Sequence, residues 1–246
     1  MSSSKIFFFL ALISLFSYSL EMNGQKVFMT GDSHVFAKIY PQKTEEVLRS
    51  QHPDIDFGYW AKNGICFYSF NSNPEYYDSI FNFKPDILIV HLGTNGAYDN
   101  SFSRPAFREE MENFYSTLTD TLPDVKVVFI TPFTNKKRKY RKKGKWRINY
   151  KNRDVADEII AFTEAHPTTF VIDNNAEAGL SFLKTKGLIR TDNVHLTEKG
   201  YTLLGEQVGK HLLEIDELWA SPTSDSPSSL QPYQLEITKE PENNFE

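Results

Sequence analysis

A serine hydroxyl attacks a carbonyl only when a neighbouring base takes its proton. An imidazole is the usual base, and a carboxylate on its other nitrogen fixes its tautomer and stabilises its charged form. Two short stretches supply all three groups: Gly31-Asp32-Ser33-His34 near the start and Asp192-Asn193-Val194-His195 near the end. The separation of Asp192 from His195 puts both side chains on one side of a turn. Ser33 is therefore the candidate nucleophile, His195 the candidate base and Asp192 its partner acid.

Attack on a carbonyl builds negative charge on its oxygen, and preorganised N–H donors stabilise that charge. Three candidate donors are present: the backbone N–H of Ser33, the backbone N–H of Gly64 and the side-chain amide of Asn95 in Gly93-Thr94-Asn95-Gly96. A glycine at 64 lets the backbone come close to a substrate. Asp32, beside the nucleophile, is expected to shape the turn rather than to act as the acid.

These groups are useful only if the fold brings them together. Five β-rich runs recur, at Lys26 to Thr30, Ile55 to Trp60, Asp86 to His91, Val125 to Thr131 and Thr168 to Ile172, alternating with helix-compatible stretches, which predicts a parallel sheet. Ile87 to Val90 and Val127 to Ile130 are uninterrupted apolar runs, so both are expected at the sheet centre. Phe107, Met111, Phe114 and Leu118 draw one stripe down a helix starting near Ser103 and Pro105. Tyr201, Leu204, Val208, Leu212 and Ile215 do the same for a last helix beginning near Thr197 and Glu198. Ligands of such sheets sit beyond the carboxyl ends of the strands, where the Ser33, Gly64 and Asn95 segments emerge. Asp192 to His195 lies just before the last helix and can reach back to that edge.

At 40% hydrophobic and 24% charged, the composition is that of an ordinary globular protein. Ile6 to Leu20 is an apolar stretch behind Lys5, laid out as a secretory signal peptide and shorter than the ~20 residues of a spanning helix. Residues 1–24 are read as that signal, 25–219 as one domain, and the Ser-, Pro- and Glu-rich 220–246 as a flexible acidic tail. The protein is expected to be exported, periplasmic or extracellular, with no stable membrane anchor. Cys66 is the only cysteine, which excludes an intrachain disulfide. No zinc-protease pair of histidines and no phosphate-cradling glycine loop is present, so neither a metal nor another cofactor is called for.

Gly31-Asp32-Ser33, Gly64, Gly93-Thr94-Asn95 and Asp192 to His195 resemble, in order, the four blocks of the SGNH, or GDSL, hydrolase family. The likeness runs from about 26 to 214. It implies a flavodoxin-like three-layer α/β/α sandwich of about five parallel strands and the hydrolysis of esters, with Ser33, Gly64, Asn95 and His195 in the roles argued above. His34 stands where many members have leucine, and Gly96 where many have aspartate. These blocks are more similar to the branch containing peptidoglycan O-acetylesterases and carbohydrate deacetylases, which implies acetyl groups on sugars. Two alternatives remain open: a glycan O-acetyltransferase using the same three groups, and a non-catalytic polysaccharide-binding protein on the same fold.

Residues 136–147, KKRKYRKKGKWR, hold nine basic residues in twelve and follow the fourth strand. Outside them 18 Lys and Arg face 32 Asp and Glu, so the positive charge is local. Lys136, Lys137, Arg138 and Arg141, with His34 and Tyr98, are the substrate-binding candidates. The partner expected is an acetylated carbohydrate, anionic polymers included, and not a nucleic acid. His91 is expected to be a strand residue satisfied by hydrogen bonds, and Phe67, Tyr68, Phe70, Tyr76 and Tyr77 to serve a core or its rim.

Overall fold

The computed structural model describes residues 24–96, 103–133, 139–142, 145–148, 152–175, 187–192 and 194–220, with the backbone alone for 139–142 and 145–148. Residues 1–23 and 221–246, which carry most of the expected signal peptide and tail, lie outside the described residues.

In chain order the elements are β1 (Lys26–Gly31), α1 (Ser33–Phe36), α2 (Ile39–Arg49), β2 (Asp56–Ala61), α3 (Phe67–Ser72), a 3-10 turn (Pro74–Tyr76), α4 (Asp78–Phe83) and β3 (Ile87–His91). They continue as α5 (Arg104–Thr121), β4 (Lys126–Ile130), β5 (Lys139–Lys142), β6 (Lys145–Ile148), α6 (Asn152–Ala165), β7 (Thr169–Ile172), α7 (Glu198–Leu213) and α8 (Asp216–Trp219). Five strands form one parallel sheet in the order β2-β1-β3-β4-β7, the flavodoxin-like arrangement that the resemblance implied.

The five strands fall on the predicted runs, shifted by a residue or two at their ends. The centre differs in detail: β3 is the middle strand, and β1 and β4 flank it equally. The apolar run in β1 is short, but Val27 and Met29 face one helical layer and Phe28 the other, so β1 is as thoroughly covered as β4. One core packs Tyr40 and Leu48 of α2 and Tyr201, Leu204, Val208 and Leu212 of α7 against the sheet. The other packs Phe67 and Phe70 of α3, the α5 stripe Phe107, Met111, Phe114 and Leu118, and Val155, Ile159 and Phe162 of α6. Both predicted amphipathic helices carry side-chain caps: Ser103 accepts from the Ala106 N–H at 3.3 Å, and Thr197 from the Gly200 N–H at 3.2 Å.

From β1 the chain goes out to β2 on one side and then crosses to β3 on the other. This leaves a crevice at the carboxyl ends of β1 and β3, the point where open α/β sheets take their ligands. Ser33 follows β1, Gly64 follows β2 and Asn95 follows β3, so the strand order itself delivers the three segments to one rim.

Within the basic stretch, β5 and β6 pair antiparallel. Only Lys143 and Gly144 separate them, and that two-residue spacer ending in glycine is the hairpin signal the run of charge obscured.

Candidate active site

Ser33 opens α1, and Asp32 caps it by accepting the His34 N–H at 3.0 Å. A Cβ at position 31 would stand 2.6 Å from the His91 carbonyl oxygen, so only glycine lets the turn lie this close to β3. His34 and Val35 then point into the core, leaving Ser33 half-buried and Phe36 exposed at the rim.

The imidazole comes from a loop that folds back on itself. Ile189 bridges to Leu196, the Arg190 N–H donates to the His195 carbonyl at 2.8 Å, and the Thr197 N–H to that of Leu188 at 2.8 Å. Leu188 and Leu196 are buried in the core that also holds Val27 and Met29 of β1, which anchors the loop beside the Ser33 turn. Asp192 Oδ1 accepts the N–H groups of Val194 and His195 at 2.9 and 3.0 Å, and its Oδ2 lies 2.9 Å from His195 Nδ1. The three-residue spacing is thus an interval that one carboxylate spans. Partial burial opposes ionisation of Asp192, but the Val194 N–H, the His195 ring and the His195 N–H outweigh it and hold the carboxyl below its usual range.

His195 Nε2 stands 3.0 Å from Ser33 Oγ, joining residues 162 positions apart. With its proton on Nδ1, the ring donates to Asp192 while Nε2 accepts from the serine hydroxyl. Such a chain can take up a proton at Nε2 as a nucleophile forms and return it to a leaving oxygen.

On the other side of Ser33, Asn95 Nδ2 donates to Asp32 Oδ2 at 3.2 Å and to the Ile65 carbonyl at 3.0 Å. These bonds tie the loops after β1, β2 and β3 together. They also engage both amide hydrogens, so an oxyanion at this position must share or displace one of them. Gly64 adopts φ +79°, a conformation costly for any side chain, and a Cβ there would meet nothing within 4 Å, so its backbone faces open space.

Asp32 is fully enclosed, and burial, only partly opposed by the His34 N–H and by His195, raises its pKa to about 7. The native carboxyl therefore keeps its proton between about 4 and about 7, where the unfolded chain has released it. Across that window the native state binds the extra proton, so stability falls as pH rises. Asp32→Asn removes this titration. Whatever fixed offset the lost acceptor introduces, denaturant melts should show wild type losing stability relative to the variant from pH 4.5 to pH 8, by a few kcal/mol at most. A difference independent of pH would contradict the assignment.

Beneath the triad of side chains lies a layer of rings. His34 stacks on His91 with centroids 5.3 Å apart, and its ring is 5.9 Å from those of His195, Tyr201 and Phe133. The Tyr201 hydroxyl lies 3.4 Å from His34 Nδ1, within hydrogen-bond reach. Burial, reinforced by His195, lowers the His34 pKa to about 3, and burial beside His34 pushes His91 well below the usual histidine range. Two expectations change here. His34, a substrate-lining candidate in the sequence, is 1% exposed and supports the site from below. His91 has no hydrogen-bond partner for either ring nitrogen, because it points from β3 into a layer of rings rather than at backbone.

Phe67, Phe70 and Tyr77 are buried, as expected of core aromatics, whereas Tyr68 is exposed. Tyr98, Lys136, Lys137 and Arg138 lie outside the described residues, and Arg141 sits on β5, described as backbone alone. Tyr201 stands in the sequence only as the first residue of the last helix's apolar stripe, and nothing in the sequence singles out Tyr40. Among the described residues no three His, Cys, Asp or Glu side chains converge as a metal-binding group.

The sequence matches the model of the GDSL-like lipase/acylhydrolase family over residues 35–203. No curated protein matches the chain in sequence. Among solved structures, a peptidoglycan O-acetylesterase is similar with a TM-score of 0.68 at 11% identity, covering 79% of this chain and 92% of the other. The acetyl xylan esterase AlAXEase is similar at a TM-score of 0.58 and 18% identity, covering 77% and 98%. A carbohydrate esterase family 3 protein from Talaromyces cellulolyticus is similar at 0.58 and 17%, covering 78% and 98%. At such identities the likeness is one of fold.

Proposed function

Because the chain belongs to the GDSL-like lipase/acylhydrolase family, we propose that it is an exported serine esterase that removes O-acetyl groups from carbohydrate. The observation that carries the reading is the continuous chain Ser33 Oγ, His195 Nε2, His195 Nδ1, Asp192 Oδ2, with contacts of 3.0 and 2.9 Å, at the crevice beyond β1 and β3. The matched span begins after Ser33, so the nucleophile rests on this geometry rather than on the family match. The solved relatives of similar fold, named as acetylesterases of peptidoglycan and xylan, support the choice of acyl group and carrier. The apolar run Ile6 to Leu20 behind Lys5 supports export.

In this mechanism Ser33 Oγ bonds to the acetyl carbonyl carbon as His195 Nε2 takes the hydroxyl proton. The oxyanion is met by the N–H groups of Ser33 and Gly64 and by one Asn95 hydrogen released from Asp32 or Ile65. As the tetrahedral intermediate collapses, the sugar oxygen departs with the proton from His195, leaving acetyl-Ser33. Water, deprotonated by His195, then attacks that ester, and acetate leaves. Asp192 keeps the Nδ1 proton throughout.

Acetate release across a panel of O-acetylated glycans, with His195→Ala as control, tests the reading. Wild type should release acetate from at least one glycan, and the control should do so on the order of a million-fold more slowly. Hydrolysis confined to long-chain acyl esters, or transfer to an added glycan exceeding release, would overturn it.

A further inference from the structure

The basic ribbon β5–β6 belongs to an excursion of the chain with a single root. The chain departs at Phe133 and is back at Asn152, and the buried Asn152 side chain donates to the Phe133 carbonyl at 2.6 Å, clasping the two feet together. Phe133 is in the ring layer under the site, 5.9 Å from His34 and 6.4 Å from His91 between centroids. The two feet from which the ribbon extends are therefore rooted in the ring layer under Ser33.

The pairing register is informative. Lys142 is directly opposite Lys145, Tyr140 opposite Arg147, and Arg141 opposite Trp146. Residues 140, 142, 145 and 147 share one face, and 139, 141, 146 and 148 the other, so each face carries one aromatic residue and at least two cationic ones. Residues 134–151 contain ten Lys and Arg and no Asp or Glu. Like charges directly opposite one another destabilise a strand pair, and a lone two-stranded ribbon is marginal in water to begin with. An element built against its own stability, with no acidic residue of its own to offset the repulsion, is suited to a polyanion. Aromatic residues among the cations add the flat apolar surface on which sugar rings stack.

We propose that the β5–β6 ribbon grips an anionic polysaccharide, a glycan bearing carboxylates or phosphates, and holds it across the entrance to Ser33. The inference rests on the esterase reading for what happens next, since an occupant delivered to that serine must carry an acyl ester, which a nucleic acid lacks. The 17 Lys and Arg against 32 Asp and Glu elsewhere in the chain would repel the same polymer, so the ribbon sets where it docks.

The grip and the chemistry can be tested apart. Full-length protein carrying Ser33→Ala should bind polygalacturonate or a phosphodiester-linked glycan, but not dextran, and the binding should weaken between 20 and about 300 mM NaCl. Whichever of the two polymers binds identifies the anion. In the active enzyme, Lys139→Gln, Lys142→Gln, Lys145→Gln and Arg147→Gln combined should lower the ratio of kcat/KM on acetylated polygalacturonate to kcat/KM on an aryl acetate roughly tenfold or more, mainly through KM. Salt should lower the same ratio in wild type, which serves if the variant misfolds. An unchanged ratio, salt-independent binding, or preference for anionic lipid vesicles or an oligonucleotide over both glycans would overturn the proposal. Absence of aryl acetate hydrolysis in wild type, with glycan binding intact, would instead count against the esterase reading alone.

Discussion

Ser33→Ala should lower kcat on an aryl acetate by on the order of a million-fold, and His195→Ala by a similar factor. In the proposed mechanism the two act as one device: the hydroxyl is a competent nucleophile only through the 3.0 Å contact to Nε2, and every later proton transfer by the imidazole follows from the acetyl-serine that this contact makes possible. The double variant is therefore expected to be no slower than either single one, rather than slower by the product of the two losses. A residual rate above the uncatalysed reaction should persist in all three, because the Gly64 and Asn95 donors are untouched. Ser33 is half-buried and the cap of α1 comes from Asp32, so removal of one hydroxyl should shift thermal stability little. Fluorophosphonate labelling should vanish with Ser33→Ala. Retention of labelling and turnover in that variant, with its fold intact, would end the case for this serine.

The second large effect concerns the carboxylate. In Asp192→Asn the amide oxygen can still accept the Val194 and His195 N–H groups, so the loop should keep its shape. The amide nitrogen would then face Nδ1 as a donor, forcing the imidazole proton onto Nε2, where it blocks acceptance from Ser33. The expected loss in kcat is on the order of ten-thousand-fold at neutral pH. Asp192→Ala should be the milder change, because the side chain is 47% exposed and water can reach Nδ1 in its place. Measuring kcat for both gives a clear outcome: an alanine variant slower than the asparagine variant would mean that Asp192 acts by holding the loop, not by choosing the tautomer.

The candidate site was legible in the sequence to the extent that its parts are local. Asp192 and His195 declare themselves because one carboxylate spans three residues by accepting two successive N–H groups. Gly64 is recognisable as a special backbone position, and its φ of +79° gives the reason. The sheet was legible because strands buried on both faces read as apolar runs, and α5 and α7 because their stripes follow the helical period and their caps are Ser103 and Thr197. What was not legible depends on neighbours distant in the chain. Asp32 reads as a turn former, and nothing near it foretells that its second oxygen meets Asn95, 63 residues on. His34 and His91 are similar polar residues in sequence, and only the covering by Tyr40, Phe133 and Tyr201 makes them a buried stack. Tyr68 differs from Phe67 by one position on a short helix, and that rotation alone separates an exposed ring from a core one.

By itself, then, the chain's sequence determined the candidate site residues and the local geometry around each, along with the elements that carry them, since these follow from short spacings and hydrophobic period. Tertiary structure decided which atoms meet. The crossing from β2 past β1 to β3 makes one rim out of three loops, and burial sets the protonation of Asp32, His34 and His91. The physical reason is that spacing acts over a few residues, whereas desolvation and long-range hydrogen bonds exist only once the layers have closed.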